Sequence, residues 1–526
     1  MILNKTWNKK EQKLTISYIN KQGGREFFSR YLSFVTGYEY SDNGEFETWD
    51  GKRCTKIWKD TSKNVPTEFE LLEYMYELDE GIRNNLFAQN FPKIAFFDIE
   101  TEVSLDFPDP WKAEQRVTAI SVVNWQLSCI VYGLKFLNDT QKETLRTRYI
   151  DWLKNNEFAM KMARQIHPDW DPDDDSEEGR KRGPKVLYVP FETEQELIET
   201  FMTRIIPRTA ILCGWNSQGF DWPYLVNRLK KLIGDQAALR VIRRASPTGE
   251  ITNMRWQDMS GTKYSIPIPC HSEIFDYMEI VKQYDYVLRP YESYSLDYVG
   301  SRAVNAHKIK YTGSLQQLYE RDVEWYYFYN AIDSLIGLLI HYKLKSLESP
   351  CAVSSVTLVP LRDAMGQIAL GQANVFRQFY EDGYKVVYDY DSIERVKIPY
   401  EGAFCGCVPG KWDWTVCYDF ASLYPSQVRT CNFSFENGVQ NVVGPDSFGR
   451  YNNLGWSEAE LEEKRKDPNY FVSIMGNVYK NDKDYAFRKL QAKLKRNRDK
   501  YKYTQQKIES ELITYIDDLI AKKSNK

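Results

Sequence analysis

In the stretch KIAFFDIETEV (93–103), four apolar residues at 94–97 run directly into Asp98 and Glu100. A short apolar run flanked by turns reads as a buried strand, here ending in acids. Further strand and helix patterns come after it. RVTAISVVNWQLSCIVYGL (116–134) predicts two paired strands, KVLYVPF (185–191) another strand, and TEQELIETFMTRII (193–206) an amphipathic helix. Thr193 with Glu196 three residues later is a capping-box opening for that helix. AILCGWN (210–216) is a strand running into a loop, DWPYLVNRLKKL (221–232) a helix, and 248–268 a β-hairpin. Strands and helices alternate from 93 to about 345, so this part is an α/β domain. Residues 1–92 mix strand-like runs such as LTISYIN with charged helical stretches and carry no interpretable motif. WTVCYDF (414–420) predicts a second apolar strand, and 485–526 a strongly charged helix. No internal repeat is visible.

At 526 residues the chain has room for three to four domains. Net charge is 70 − 73 = −3, which excludes a generally basic coat but leaves room for a local basic patch. Nine cysteines are sparse and odd in number; Cys405 and Cys407 are the closest pair, with no partner pair or histidine to complete a zinc site. They read as reduced thiols, most of them buried. His167, His271, His307 and His341 are scattered without metal-helix spacing. HPDWDPDDDSEEGRKRGP (167–184) has aspartates spaced as in a calcium loop, but Asp174 stands where that loop needs glycine, so a solvated polar loop is expected. No phosphate-loop or dinucleotide glycine motif is present. Any catalysis must therefore rest on carboxylates. No apolar run approaches bilayer length, and the first residues lack the apolar core of a signal peptide, so the expectation is a protein that is neither in a membrane nor secreted.

Asp98 and Glu100 are two apart on a strand and share one face. Carboxylates that close repel unless cations neutralise them, which makes a divalent-metal site or a solvated strand end the two readings. In GWNSQGFDWPYLVNR (214–228), Gly214 and Gly219 would let the backbone turn, while Asn216 and Asp221 offer polar groups; Asp221 could equally cap the next helix. In YFYNAIDS (327–334), Tyr329 and Asp333 are four apart and lie on one helical face, commonplace in itself.

Together, DIE, NxxGFDxPY and YxxxD resemble the three motifs of the proofreading 3′–5′ exonuclease domain of family B DNA polymerases. The resemblance implies a ribonuclease H-like fold in which Asp98, Glu100, Asp221 and Asp333 bind two divalent metals, Mg²⁺ with Mn²⁺ as a substitute. It implies that Tyr329 orients the attacking water and that Asn216 and Phe220 contact the frayed 3′ end. The hairpin near 250–265 matches an insertion that helps to separate strands.

Further on, YEGAF (400–404) and YDFASLYPSQVRTCNFS (418–434) resemble the YxGA motif and polymerase motif A of the same family, with Gln427 a departure after YPS. By that resemblance Asp419 holds both polymerase metals with the Phe420 carbonyl, the Leu423 N–H faces the triphosphate, and Tyr424 packs under the deoxyribose. Tyr400 and Gly402 would contact DNA. Arg498 and Lys502 resemble the RxxxK pair of the first fingers helix, within a segment rich in other, solvated charges.

The family's KxxxNSxYG and DTDS motifs and its thumb are not found. The expectation is the N-terminal subunit of a split replicative DNA polymerase, laid out like those of T-even-like bacteriophages, and the finish AKKSNK favours a genuine terminus. Its expected domains are 1–92 with about 346–385 (N-terminal), 93–345 (exonuclease), 386–475 (partial palm) and 476–526 (first part of fingers). Expected partners are a C-terminal polymerase polypeptide, primer–template DNA, dNTPs and, through the partner, a sliding clamp, in the cytoplasm of an infected bacterium. An autonomous 3′–5′ exonuclease and a nucleic-acid-binding regulatory protein are the alternatives.

Overall fold

The apolar run at 94–97 lies inside a six-stranded sheet. The computed structural model describes residues 1–102, 108–257, 262–387, 406–420, 422–439, 456–474 and 476–524. The sheet's strands are β1 (Ile94–Thr101), β2 (Val117–Asn124), β3 (Cys129–Gly133), β4 (Val186–Pro190), β5 (Ile211–Gly214) and β6 (Glu273–Asp276), in spatial order β4-β3-β2-β1-β5-β6. β2 is antiparallel to both neighbours and every other pairing is parallel. Five strands therefore point one way, and their starts share one pole of the sheet.

Period-two alternation in β1 sorts its side chains between two cores. Ile94 and Phe96 join the cluster that includes Leu335, Ile336 and Leu339, whereas Ala95, Phe97 and Ile99 join Trp222, Leu225 and Leu229. The first cluster belongs to α2 (Val323–Leu344) and the second to α1 (Asp221–Ile233). α2 is apolar nearly all round because it is buried nearly all round, the condition for a helix without a polar face. It lies close on β1: a Cβ at Gly337 would sit 2.4 Å from Phe96 Cδ1. Asp98 and Glu100 continue the even-numbered positions and so face α2.

The chain divides into two units, 1–32 with 78–369, and 33–77 with 370–526. The division runs through the segment 1–92. In the first unit, an antiparallel sheet of Ile2–Asn8, Lys13–Ile19 and Arg25–Tyr31 joins the six-stranded one. Here Ile251–Gln257 and Lys263–Pro269 form the expected hairpin. The aspartate-rich loop is tied by Lys154–Asp173 and Arg180–Asp175 ion pairs, the ordinary use of such charges. In the second unit Phe34–Tyr40, Phe46–Glu47 and Arg53–Asp60 form a small sheet, and Ala486–Ser524 is a long helix.

One strand expectation is corrected. Residues 414–420 form no ladder, and Trp414 is 98% and Phe420 77% exposed. β-propensity is a preference for a pleated surface with neighbours, and no described strand supplies one here. Six cysteines are buried and Cys407 and Cys417 exposed, all of them free; Cys405 lies outside the described residues. Among the described residues no helix is long and apolar enough to cross a membrane.

Candidate metal centre

The sheet and α2 converge on three carboxylates. Ligand oxygens of Asp98, Glu100 and Asp333 all lie within 4.8 Å of one another. Polar bonds fix the helix that brings Asp333. Asn330 Nδ2 donates to Asp98 Oδ2 at 2.8 Å, the Ser121 and Ser334 hydroxyls meet at 2.7 Å, and Thr118 meets the Tyr326 hydroxyl at 2.6 Å. Glu100 and Asp333 are buried, while Asp98 is partly open to solvent. Tyr329 lies one turn from Asp333 and is also largely buried, as the four-residue spacing requires.

Asp221 opens α1 and comes from the other side of the sheet. Its Oδ1 accepts from the Ile99 N–H at 3.4 Å, against the backbone between Asp98 and Glu100, and it is not part of the 4.8 Å cluster. The N-cap of α1 is Phe220, and the Asp221 carboxylate also meets its own backbone N–H at the helix start. Helix capping alone does not account for the bond to Ile99, which ties Asp221 to β1.

This concentration of charge is held at a cost. Burial raises the pKa of Asp98 well above the usual carboxylate range, and the neighbouring Glu100, Asp333 and Asp221 raise it further. Burial and then Asp333 push Glu100 up to about 8; burial pushes Asp221 up to about 7 and raises Asp333 as well. Among the described residues one cation answers them. Lys308 Nζ donates to Asp333 Oδ2 at 2.6 Å and to the Tyr329 hydroxyl at 3.2 Å. Burial opposes its charge, but Asp333, Tyr329 and Asp98 more than offset burial and keep it protonated. Four carboxylates against one ammonium leave a deficit of positive charge, and Asp333 Oδ1 is buried without a hydrogen-bond partner. An all-oxygen donor set with an unused buried oxygen fits hard divalent cations.

The loop that leads to Asp221 is organised by Asp276 at the end of β6. Its carboxylate accepts from the N–H groups of Asn216 and Gln218, each at 3.1 Å, and of Met278 at 3.0 Å. Burial pushes Asp276 up to about 6 in spite of those donors. The turn expectation is corrected in detail. Neither Gly214 nor Gly219 has positive φ; Asn216 does, at 62°. The glycines serve close approach instead, since a Cβ at either would fall 2.6 Å from Ser217 Cβ or Asn216 Oδ1 respectively. Asn216 is exposed, and Phe220 is half-buried with its ring 5.4 Å from that of Tyr224.

Lys308 and Asp276 escaped sequence reading. One of two lysines in HKIKY and an aspartate before a helix carry no periodic signal. The clue for Lys308 was electrostatic: so many buried acids need a cation.

The second set of residues is arranged differently. Asp419 is exposed, and among the described residues no cluster of three or more potential ligands includes it. Leu423 begins the helix Leu423–Cys431, entered through Ser422 in left-handed conformation at φ 55°. Tyr424 is 72% exposed. Arg498 and Lys502 lie four apart and exposed on Ala486–Ser524. Tyr400 and Gly402 lie outside the described residues.

Residues 50–299 match the family model for the exonuclease domain of DNA polymerase family B. That domain is ribonuclease H-like, in agreement with the mixed sheet. The chain is 27% identical over 351 residues to the DNA-directed DNA polymerase of Escherichia phage RB69, an alignment covering 65% of this chain and 35% of the relative. It is 28% identical over 353 residues to that of Enterobacteria phage T4, covering 67% and 36%. The DNA polymerase delta catalytic subunit of Dictyostelium discoideum is 27% identical over 265 residues, covering 47% and 23%. The chain spans about a third of the length of the phage relatives.

Proposed function

From a chain that carries the exonuclease domain of DNA polymerase family B, homologous to two phage DNA polymerases, we propose a 3′–5′ exonuclease acting on DNA within a phage replicative polymerase. The observation that carries this is the meeting of Asp98, Glu100 and Asp333 beside Asp221 with too little positive charge around them.

Asp98, Glu100, Asp221 and Asp333 would hold two divalent ions, Mg²⁺ in the cell. When bound, such ions supply Lewis-acid activation of water and neutralise the oxygen that leaves. The chain's own residues do the rest. Lys308 donates to the Tyr329 oxygen, which holds the hydroxyl beside Asp333, where it would orient the water. The hydroxyl stays neutral, because burial and Asp333 hold its pKa above the usual value. Asn216 and Phe220, on the loop held by Asp276, would meet a 3′-terminal nucleotide, Phe220 by stacking on the base.

For synthesis, Asp419, with the Phe420 carbonyl, would be one side of a second two-ion site, with Leu423, Tyr424, Arg498 and Lys502 toward the dNTP and Tyr400 and Gly402 toward DNA. Two-ion phosphoryl transfer needs a further carboxylate. In this proposal it comes with a C-terminal polypeptide, which also carries the thumb and any clamp contact. The work is done in the cytoplasm of the infected bacterium.

A labelled primer–template incubated with this chain and Mg²⁺, with and without dNTPs, tests the reading. Primer shortening from its 3′ end without extension is the expected result. Extension by this chain alone would overturn the need for a second polypeptide, and an intact primer would overturn the exonuclease assignment for this chain.

A further inference from the structure

At the pole opposite the carboxylates, the sheet builds a basic groove of about 840 Å³. It opens where β1, β3, β4 and β5 begin and β2 ends. Lys93 immediately precedes β1, Lys185 precedes β4, and Arg204 and Arg208 stand on the helical turns before β5. Seven of its lining residues are lysine or arginine and none is aspartate or glutamate. In a chain with 73 acidic residues and a net charge of −3, seven cations and no acid line this groove.

Two of the cations have work inside the fold. The Arg25 guanidinium donates to the carbonyls of Thr209, Pro207 and His271 and to the Ser272 hydroxyl, and Lys181 pairs with Glu177 and Glu178. Arg182 acts electrostatically on Asp174, while Lys93, Lys185, Arg204 and Arg208 form no ion pair with any described carboxylate. These four are exposed, so they gather like charge around one concavity without a paired counter-charge. Aromatic surface stands among them. The Lys93 ammonium lies 4.1 Å from the Trp125 ring centroid, and Phe27 is 43% exposed.

Uncompensated cations interleaved with aromatic faces are the chemistry that holds single-stranded nucleic acid, phosphates on the cations and bases on the rings. The volume admits a ligand of nucleotide size. A duplex, a convex rod, could not enter it. We infer that this groove binds a short stretch of single-stranded nucleic acid, as a second site on the face of the exonuclease sheet away from its carboxylates. A strand seated here is held through its backbone and kept clear of the hydrolytic centre. The inference stands apart from the exonuclease reading, and either could fail alone.

Fluorescence anisotropy with labelled 16-nucleotide single strands, one DNA and one RNA, in EDTA to stop hydrolysis, tests it across a salt series. The triple variant Lys185→Glu, Arg204→Glu, Arg208→Glu should weaken binding about tenfold or more and reduce the salt slope by roughly 2, at about 0.7 per lost phosphate contact. The neutral triple Lys185→Gln, Arg204→Gln, Arg208→Gln should show a smaller loss of the same kind with an unchanged melting temperature, which separates charge from misfolding. Photo-crosslinking of an iodouracil-bearing strand should map to peptides with Trp125 or Phe27, and the DNA and RNA strands report which source the site prefers. Hydrolysis of a trinucleotide, too short to need the groove, should be unaltered. Unchanged affinity and salt slope in both triples would overturn the inference. So would competition by free dNTP or tripolyphosphate as effective as that of the oligonucleotide, which would make this a small-anion site.

Discussion

Asp98 and Asp419 each follow an aromatic residue at the end of an apolar run, FFD and CYD, and they end in opposite surroundings. Asp98 sits on a strand paired on both sides, within reach of Glu100 and Asp333, under a buried helix. Asp419 lies on exposed backbone with Tyr418 at 89% and Phe420 at 77% exposure, and no other described acid gathers on it. Similar local sequence thus yields an assembled centre in one unit and an open segment in the other. The lesson is that a carboxylate becomes chemically unusual only when packing removes water and brings like charge near it.

That contrast can be broken most forcefully through activity. Asp98→Ala or Asp333→Ala should lower degradation of a single-stranded oligonucleotide by roughly 1,000-fold, equivalent to about 4 kcal/mol. Asp419→Ala should leave that rate unaltered. Equal losses from Asp98→Ala and Asp419→Ala in a gel assay of product ladders would erase the distinction between the two regions.

Stability sharpens the same comparison. Phe96→Ala removes a ring packed between β1 and Gly337 of α2, and should cost about 3–5 kcal/mol in denaturant unfolding. Trp414→Ala, at a fully solvated position, should stay within about 0.5 kcal/mol.

Lysines provide a third, smaller test. Lys308→Met removes the ammonium on Asp333 and Tyr329 and should slow the exonuclease by about 10- to 100-fold in a single-turnover assay, an effect of roughly 1.4–2.7 kcal/mol. Lys502→Met, on the exposed helix, should not change it. If Lys308→Met were silent, the ammonium would have no part in orienting Tyr329.

The smallest effect is on pH dependence. Glu100 and Asp221 have pKa values raised by burial to about 8 and about 7. A group raised on folding favours the folded state fully below its unfolded pKa, and that contribution is lost as pH rises through the folded value. Metal-free protein should therefore melt several degrees lower at pH 8 than at pH 5, with Lys308 charged throughout and adding nothing to the slope. Glu100→Gln should flatten the profile, and Mn²⁺ should restore stability at pH 8. A profile insensitive to Glu100→Gln in scanning calorimetry would show that the glutamate is not held as described.

Much of this was legible in the sequence because packing leaves a period. The run at 94–97 and the alternation of 116–134 each encode buried strands, and the four-residue spacing of Tyr329 and Asp333 marks one helical face. The capping pair Thr193 and Glu196 marked its helix start, where the Thr193 side chain accepts from the Glu196 N–H. The features that sequence reading missed or misplaced depend on tertiary neighbours. Residues 414–420 have strand composition but no ladder partner among the described residues. Lys308 and Asp276 owe their roles to groups 25 and 58 to 60 positions away, Asp333 in one case and the N–H groups of Gln218 and Asn216 in the other. The basic groove is likewise assembled from five separate strand ends.

Counting Mn²⁺ by electron paramagnetic resonance on the wild-type chain, Asp98→Ala and Asp419→Ala addresses the central claim most directly. The account predicts tightly bound Mn²⁺ on the wild-type protein, its loss in Asp98→Ala and its retention in Asp419→Ala. Retention in Asp98→Ala, or loss in Asp419→Ala alone, would contradict the assignment of the buried carboxylates as the metal centre.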